Sequence, residues 1–308
     1  MGCQEEQLIV KVCEMYYKIS SLENLNPSEN VNTLFTQLVL ICIPTCRIDI
    51  TTLSKRVEEI RSKLIRLCGQ AEGLLESHFS ILIGSYESPL DHLTLFPYYS
   101  NYLKLSHLEF TMLKKHLLRI PDQIAFVGSG PLPLTSIVLA SNHLRTTLFH
   151  NYDIDPSANS NALHLVSSDP DLSKRMFFHT TNITNVTTDL KDFEVVFLAA
   201  LVGMSKEEKA LVIGHLAKHM CPGAFLVLRS AHGSRAFLYP VIDPRDLREF
   251  EVLSVHHPTD DVINSVIIAR KHIMTHSSSP RKYLETQGFN SLHQATVFEE
   301  FEIDEQLS

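Results

Sequence analysis

A glycine turn and two aspartates carry the first chemical signal. In Ile124-Ala-Phe-Val-Gly-Ser-Gly-Pro-Leu-Pro133 a strand-like apolar run enters Gly128-Ser129-Gly130, and prolines suited to a helix start follow. Gly128 permits a tight turn, and Gly130 lets a ligand approach the backbone closely. Proline is tolerated in the first turn of a helix, where its missing N–H is not needed. The third glycine of the dinucleotide fingerprint is absent, so the motif rests on its context of strand before and helix after. The next strand ends in Asn151-Tyr152-Asp153-Ile-Asp155-Pro156. An acidic residue at this position accepts hydrogen bonds from ribose hydroxyls. Asp153 and Asp155 follow Gly128 by 25 and 27 residues, near the expected spacing of about 20. Asp153 is the first choice, because Asp155 directly precedes Pro156 and can instead cap a helix. Turn and acids together call for a nucleoside ligand, without separating NAD from S-adenosylmethionine.

Other segments complete the rim of such a site. Thr180-Thr-Asn182 follows a third strand, and Ala199-Ala200-Leu-Val-Gly-Met204 follows a fourth. Asn182 can reach an adenine amine or serve as an ordinary turn asparagine. Arg229-Ser-Ala-His-Gly-Ser-Arg235 follows a fifth strand and can hold a carboxylate, or form a polar loop with surface arginines. The long helical stretch near residue 70 carries Glu72 and Glu76, which lie roughly 80–120° from its apolar stripe. Periodicity alone places both at the boundary or in solvent. Phe96-Pro-Tyr-Tyr-Ser-Asn-Tyr102 sets three tyrosines within five residues, suited to core packing or to lying over a ligand. No HExxH, P-loop or G-x-S-x-G pattern occurs. His256-His257 beside Asp260-Asp261 is the one dense cluster of ligating types, and it falls in a polar loop. No metal site is expected.

The elements that must position these residues fall into two patterns. The first 120 residues read as helical: Gln7–Tyr17, Val31–Cys42, Thr51 to about Ile83, and Leu103–Leu118. In the third of these, Leu53, Val57, Ile60, Leu64, Leu67, Ala71, Leu75, His78 and Leu82 form one stripe at helical spacing. Asp49-Ile-Thr51 supplies capping residues at its start. From Pro121 short apolar runs alternate with helical stretches: strands at Ile124–Val127, Thr147–Tyr152, Met176–His179, Glu194–Ala199 and Phe225–Leu228. Helices are expected near 131–143, 156–168 and 205–220, the last opened by the capping box Ser205–Glu208. Repeated βα units mean a parallel sheet covered on both faces. Phe250–Val255 and Val262–Ala269, joined by a short polar loop, form an antiparallel pair. The expected class is therefore α/β: a Rossmann-like, class I methyltransferase-type, mostly parallel sheet with an N-terminal all-helical domain. The analogy of that architecture favours S-adenosylmethionine as the ligand. The expected division is 1–120 helical, 121–271 nucleoside-binding, and 272–308 a mobile tail.

Composition bounds the alternatives. The chain has 308 residues, 44% hydrophobic and 20% charged, with a net charge of -8 from 27 basic and 35 acidic residues. That length suggests about two domains, and the acidic balance argues against nucleic acid. Six cysteines are too sparse for a disulfide framework, and none has zinc spacing. The start, Met-Gly-Cys-Gln-Glu-Glu, lacks the basic and apolar regions of a secretory leader, and Glu6 stands where a myristoylation site wants Ser or Thr. The longest apolar run, Leu38–Ile43, stops at Pro44, far short of a bilayer of about 30 Å. The expected setting is cytoplasmic, with a small-molecule substrate and no nucleic-acid or membrane partner. A homo-oligomer is left open.

Taken together, these stretches resemble plant nicotianamine synthase. The matching pieces are Leu25-Asn-Pro-Ser-Glu-Asn-Val-Asn-Thr-Leu-Phe35, Pro89-Leu-Asp-His-Leu93, Phe96–Tyr102, Phe126–Pro133, Asn151–Asp155, Val196–Met204 and Arg229–Pro240. They cover most of residues 20–270. Asn182 and Asn185 depart from the pattern, standing where many members carry aspartates. The resemblance implies that three S-adenosylmethionines are joined by aminobutyrate transfer, with one azetidine ring closed and three methylthioadenosines released. S-adenosylmethionine is then a substrate, and no other cofactor is implied. The resemblance further implies a glutamate as base on the attacking amine and a tyrosine that orients it. These map to Glu76, with Glu72 as the fallback, and to Tyr102, with Tyr98 or Tyr99 as alternates. The implied binding set is Gly128, Ser129, Gly130, Tyr152, Asp153, Asp155, Asn182 and Ala200. The alternative on the same sheet is an ordinary methyltransferase with a separate acceptor.

Overall fold

The computed structural model describes residues 2–44 and 48–273. The expected tail lies outside these residues from 274 onward, as do Cys46 and the side chain of Cys3. Seven strands form one sheet: β1 (Gln123–Val127), β2 (Leu148–Asp153), β3 (Met176–Thr180), β4 (Val195–Leu198), β5 (Phe225–Ser230), β6 (Phe250–His256) and β7 (Ser265–Lys271). Their order is β3-β2-β1-β4-β5-β7-β6. β1 to β5 are parallel, and β7 runs antiparallel between β5 and β6. Each of β1, β4 and β5 is nearly wholly buried, as a parallel strand covered on both faces must be. The order reverses between β1 and β4, which sets the ligand crevice beyond their carboxyl ends.

Four helices precede the sheet: α1 (Gly2–Ser20), α2 (Glu29–Cys42), α3 (Lys55–Gly84) and α4 (Tyr99–Lys114). Ser54 caps α3 by accepting from Val57 N–H, while the expected cap Asp49 serves a short 3-10 turn, Ile50–Thr52. α4 begins at Tyr99, four residues before its expected start, so it takes in Tyr102. Between strands lie α5 (Leu134–Val138), α6 (Pro156–Ser167), α7 (Leu172–Arg175) and α8 (Lys206–His219). The capping box at Ser205 and Glu208 is formed.

Residues up to Ile273 form one compact unit. Val12 and Ile19 of α1, Leu38 of α2 and Leu64 and Ala71 of α3 build one core, which Phe237 and Leu238 join from the segment after β5. α4 belongs to a different core. Its Leu105, Met112 and Leu113 pack with Phe126, Phe197, Val227 and Ile268 on one face of the sheet. Each such side chain contributes about 1.5–3 kcal/mol on burial. α8 covers the other face through Val212, Ile213 and Leu216. α4 is also tied to β5 by charge: Arg229 donates to both oxygens of Glu109, at 2.7 and 3.0 Å, and to Thr135 Oγ1 at 2.6 Å.

Candidate active site

The glycine turn sits where the sheet order reverses. Gly128 and Gly130 both adopt left-handed φ, +79° and +68°. A Cβ on Gly128 would fall 2.3 Å from Val202 Cγ2, and one on Gly130 would fall 2.9 Å from Glu76 Oε2. The two positions therefore need glycine for conformation and for space. β2 braces the turn from beside it. Tyr152 accepts through its carbonyl from Gly128 N–H at 2.8 Å and Ser129 N–H at 3.3 Å. Asp153 accepts from Gly130 N–H at 2.9 Å through one oxygen and from Asp155 N–H at 3.0 Å through the other. A carboxylate has about four acceptor positions, so Asp153 retains capacity for ribose hydroxyls.

Two carboxylates of α3 face this turn. Tyr102 Oη donates to Glu76 Oε1 at 2.7 Å and lies 3.4 Å from Glu72 Oε1. Tyr239 Oη donates to Glu72 Oε2 at 2.8 Å. Burial pushes the Glu76 carboxyl up to about 8, and the charge of Glu72 adds to the rise; the Tyr102 hydrogen bond and the Arg229 charge oppose it. Burial likewise raises Glu72 above the usual carboxylate range, against hydrogen bonds from Tyr239 and Tyr102 and the charge of Arg229. Burial and the neighbouring glutamates raise both tyrosines well above their ordinary value, so they donate rather than ionise. Glu72 and Glu76 are half-buried, so the boundary placement holds; the space they border is the cavity over the turn. Cys68, Glu72, Glu76 and Ser80 recur every four residues along one line of α3, and Ser80 Oγ donates to Pro131 O at 2.7 Å. Cys68, Glu72 and Glu76 on this line border the cavity above the turn.

The pair and the turn share a cavity of ≈ 1410 Å³, lined from α2, α3, α4 and the carboxyl ends of β1, β2, β4 and β5. It exceeds the roughly 300–1,000 Å³ of ordinary small-molecule pockets. Glu76, Tyr102, Gly128, Ser129, Gly130, Tyr152, Asp153, Asp155, Asn182 and Ala200 all line it. They contribute differently. The Tyr152 ring is buried and stacks on His179, so Tyr152 acts on the turn through its backbone. Ser129 Oγ is buried with no hydrogen-bond partner among the described residues. Asp155 caps α6, accepting from Ser157 N–H at 2.8 Å. Asn182 Oδ1 accepts from Thr184 N–H and Oγ1–H at 3.0 and 2.9 Å, which commits that oxygen to the local turn. Ala200 O accepts from the buried Lys209 Nζ at 2.8 Å, and burial lowers that amine to about 7.

Of the tyrosine alternates, Tyr98 is exposed and Tyr99 packs on the core; neither contacts the carboxylates in the structure. Arg229 does hold a carboxylate, but that of Glu109, which has no exposed surface. Arg235 is not a surface residue; it donates to the carbonyls of Ile43, Pro258, Asp260 and Val262. Tyr239 and Glu109 were not singled out by sequence reasoning. An isolated glutamate amid the apolar positions of α4 was the signal available for Glu109; no local pattern marks Tyr239. Among the described residues no group of three His, Cys, Asp or Glu could hold a metal ion.

Comparison with known proteins gives this geometry a family. Nicotianamine synthase 3 of Arabidopsis thaliana is 65% identical over 88% of this chain and 86% of its own length. Nicotianamine synthase of Solanum lycopersicum is 58% identical over 99% of this chain and all of its own. Among solved structures, a glutamate-to-glutamine mutant of MtNAS shares the fold at a TM-score of 0.71 and 20% identity, over 86% of this chain and 98% of that one. MtNAS in complex with MTA and tNA superposes at a TM-score of 0.68, also at 20% identity, over 86% and 96% of the two chains. The family model described as nicotianamine synthase protein matches residues 2–276, and the chain belongs to that family.

Proposed function

We propose that the cavity over Gly128–Gly130 is the chamber in which this enzyme joins three S-adenosylmethionines into nicotianamine, with Glu76 as the general base. A sulfonium has three electrophilic carbons, and the site decides which one meets the nucleophile by positioning. In each coupling an α-amino nitrogen attacks the γ-carbon of a neighbouring aminobutyrate chain. The N–C bond forms, the C–S bond breaks, and its electron pair neutralises sulfur, so methylthioadenosine leaves uncharged. The nitrogen's proton passes to Glu76. Two such couplings link the three chains, and an intramolecular one closes the azetidine ring, which accounts for three methylthioadenosines.

One observation carries the assignment: Glu76 lies directly over the nucleoside-type turn, with Tyr102 donating to it at 2.7 Å. An α-amine titrates near 8, and the Glu76 carboxyl is pushed up to about 8 in the substrate-free site, which brings it far closer to the amine than an ordinary carboxylate. Tyr102 fixes the rotamer of the base. Gly128, Ser129 and Gly130 present backbone to the substrate, Asp153 binds the ribose, and Tyr152, Asp155, Asn182 and Ala200 complete the adenosine subsite. Helices α2, α3 and α4 roof the chamber. Related structures supply the chemistry by their ligands: a MtNAS mutant binds S-adenosylmethionine, and MtNAS binds MTA and tNA. No helix among the described residues is long and apolar enough to cross a membrane, and we place the enzyme in the cytoplasm. Glu76→Gln tests the base: product formation should fall on the order of 10²–10⁴-fold, with S-adenosylmethionine binding changed little. Unchanged turnover in that variant contradicts the assignment.

A further inference from the structure

The cavity holds two carboxylates without a counter-ion. Glu72 and Glu76 share the single hydroxyl of Tyr102, which can donate to only one of them at a time. Neither forms an ion pair with any described residue. The cation whose charge reaches them, Arg229, is committed to Glu109 and Thr135. The other ionisable groups facing the pair are Tyr239 after β5, Asp153 at the end of β2 and Cys68 on α3. None of these is a cation. Like charges that face one another across one tyrosine hydroxyl disfavour each other's ionisation. The substrate brings what is missing, since S-adenosylmethionine carries a sulfonium at its reacting centre.

We propose that Glu72 is a second working carboxylate, a positioning residue that keeps one proton shared with Glu76 until a cationic substrate enters and drives that proton out. Substrate entry then switches the base on. Without the sulfonium the pair stays singly protonated; with it both carboxylates ionise and Glu76 can accept the proton of the attacking amine. Burial and Glu72's charge already place Glu76 at about 8, where a nearby positive charge shifts its ionisation across neutrality. The inference rests on the reading of this cavity as the S-adenosylmethionine site.

Binding calorimetry of the purified full chain in buffers of differing ionisation enthalpy counts the protons released. The probes are sinefungin, an unreactive cationic analogue bearing an ammonium where the sulfonium stands, and the neutral thioether S-adenosylhomocysteine. Near neutral pH, sinefungin should release more protons than S-adenosylhomocysteine, by up to about one per site. In Glu72→Gln, where Glu76 no longer faces a like charge, that difference should shrink and the acid limb of the pH–rate profile should move to lower pH. Tyr239→Phe should keep the difference, because the pair remains intact. Equal release for both ligands in the wild-type protein overturns the proposal, as does an undiminished difference in Glu72→Gln. The count is independent of turnover. Equal release with nicotianamine still formed and still abolished by Glu76→Gln overturns this proposal alone, whereas unaltered turnover in Glu76→Gln overturns the base assignment.

Discussion

A half-buried carboxyl that stays protonated in the folded chain leaves its mark on stability as well as on rate. Glu76 ionises at about 8 when folded and near 4.3 when unfolded. Between those values the folded state binds more protons than the unfolded one, so stability falls as pH rises. The loss is complete above the folded value. Glu76→Gln lacks it, so its stability advantage over the wild type should grow with pH through that window, by up to about 1.4 kcal/mol per unit. The window belongs to the Glu72–Glu76 pair, since the two titrate together. Urea denaturation at about pH 5, 7 and 9 checks the trend; an advantage independent of pH contradicts it. Sequence periodicity did not find this residue. A polar line beside an apolar stripe has the same spacing whether it faces water or an enclosed chamber, and only the family resemblance pointed to Glu76. Asp153 was legible because a βα turn followed by an acidic strand end fixes its neighbours by short-range geometry.

At the scale of elements, the β1 turn lies so close to α3 that Gly130 leaves no room for a Cβ beside Glu76. Gly130→Ala would place a Cβ 2.9 Å from Glu76 Oε2 while holding φ at +68°. The left-handed conformation alone costs roughly 1–2 kcal/mol for a residue with a Cβ. The base or the turn must then move, and a displacement of about 1 Å can cost on the order of 10²-fold in rate. We expect Gly130→Ala to lose at least about tenfold in kcat/KM and to weaken substrate binding, with a smaller effect on folding. Wild-type kinetics in that variant would show that turn and base are not in register. The strands were legible because buried parallel strands are short apolar runs bounded by turn residues. Their limits shift by one to three residues, since apolar patterning marks burial rather than hydrogen bonding. The placement of β7 between β5 and β6 was not legible, because a short connection establishes antiparallel pairing without fixing which outer neighbour a strand takes.

The whole molecule depends on how helices and sheet are joined. Arg229 of β5 and Glu109 of α4 form a doubly hydrogen-bonded pair beneath the carboxylate site, with 7% and 0% of their surfaces exposed. Removing one partner of such a pair typically costs about 3–5 kcal/mol, because the other charge is left buried alone. Glu109→Gln should destabilise the chain by that order, and Glu109→Gln combined with Arg229→Met should recover a large part of it. Chemical denaturation of single and double variants decides; equal loss in both would assign the cost to packing. The switch of period at Pro121 marked where helices give way to alternating strands, but the joint between them was not legible. It depends on a glutamate and an arginine 120 positions apart, which no local pattern links.

The central claim is that this chain needs no acceptor other than its own substrate. Incubating the purified protein with S-adenosylmethionine alone and identifying the products by mass tests it most directly. The structure predicts methylthioadenosine and nicotianamine, three of the former for each of the latter. S-adenosylhomocysteine, formed only when a separate acceptor is supplied, would contradict it.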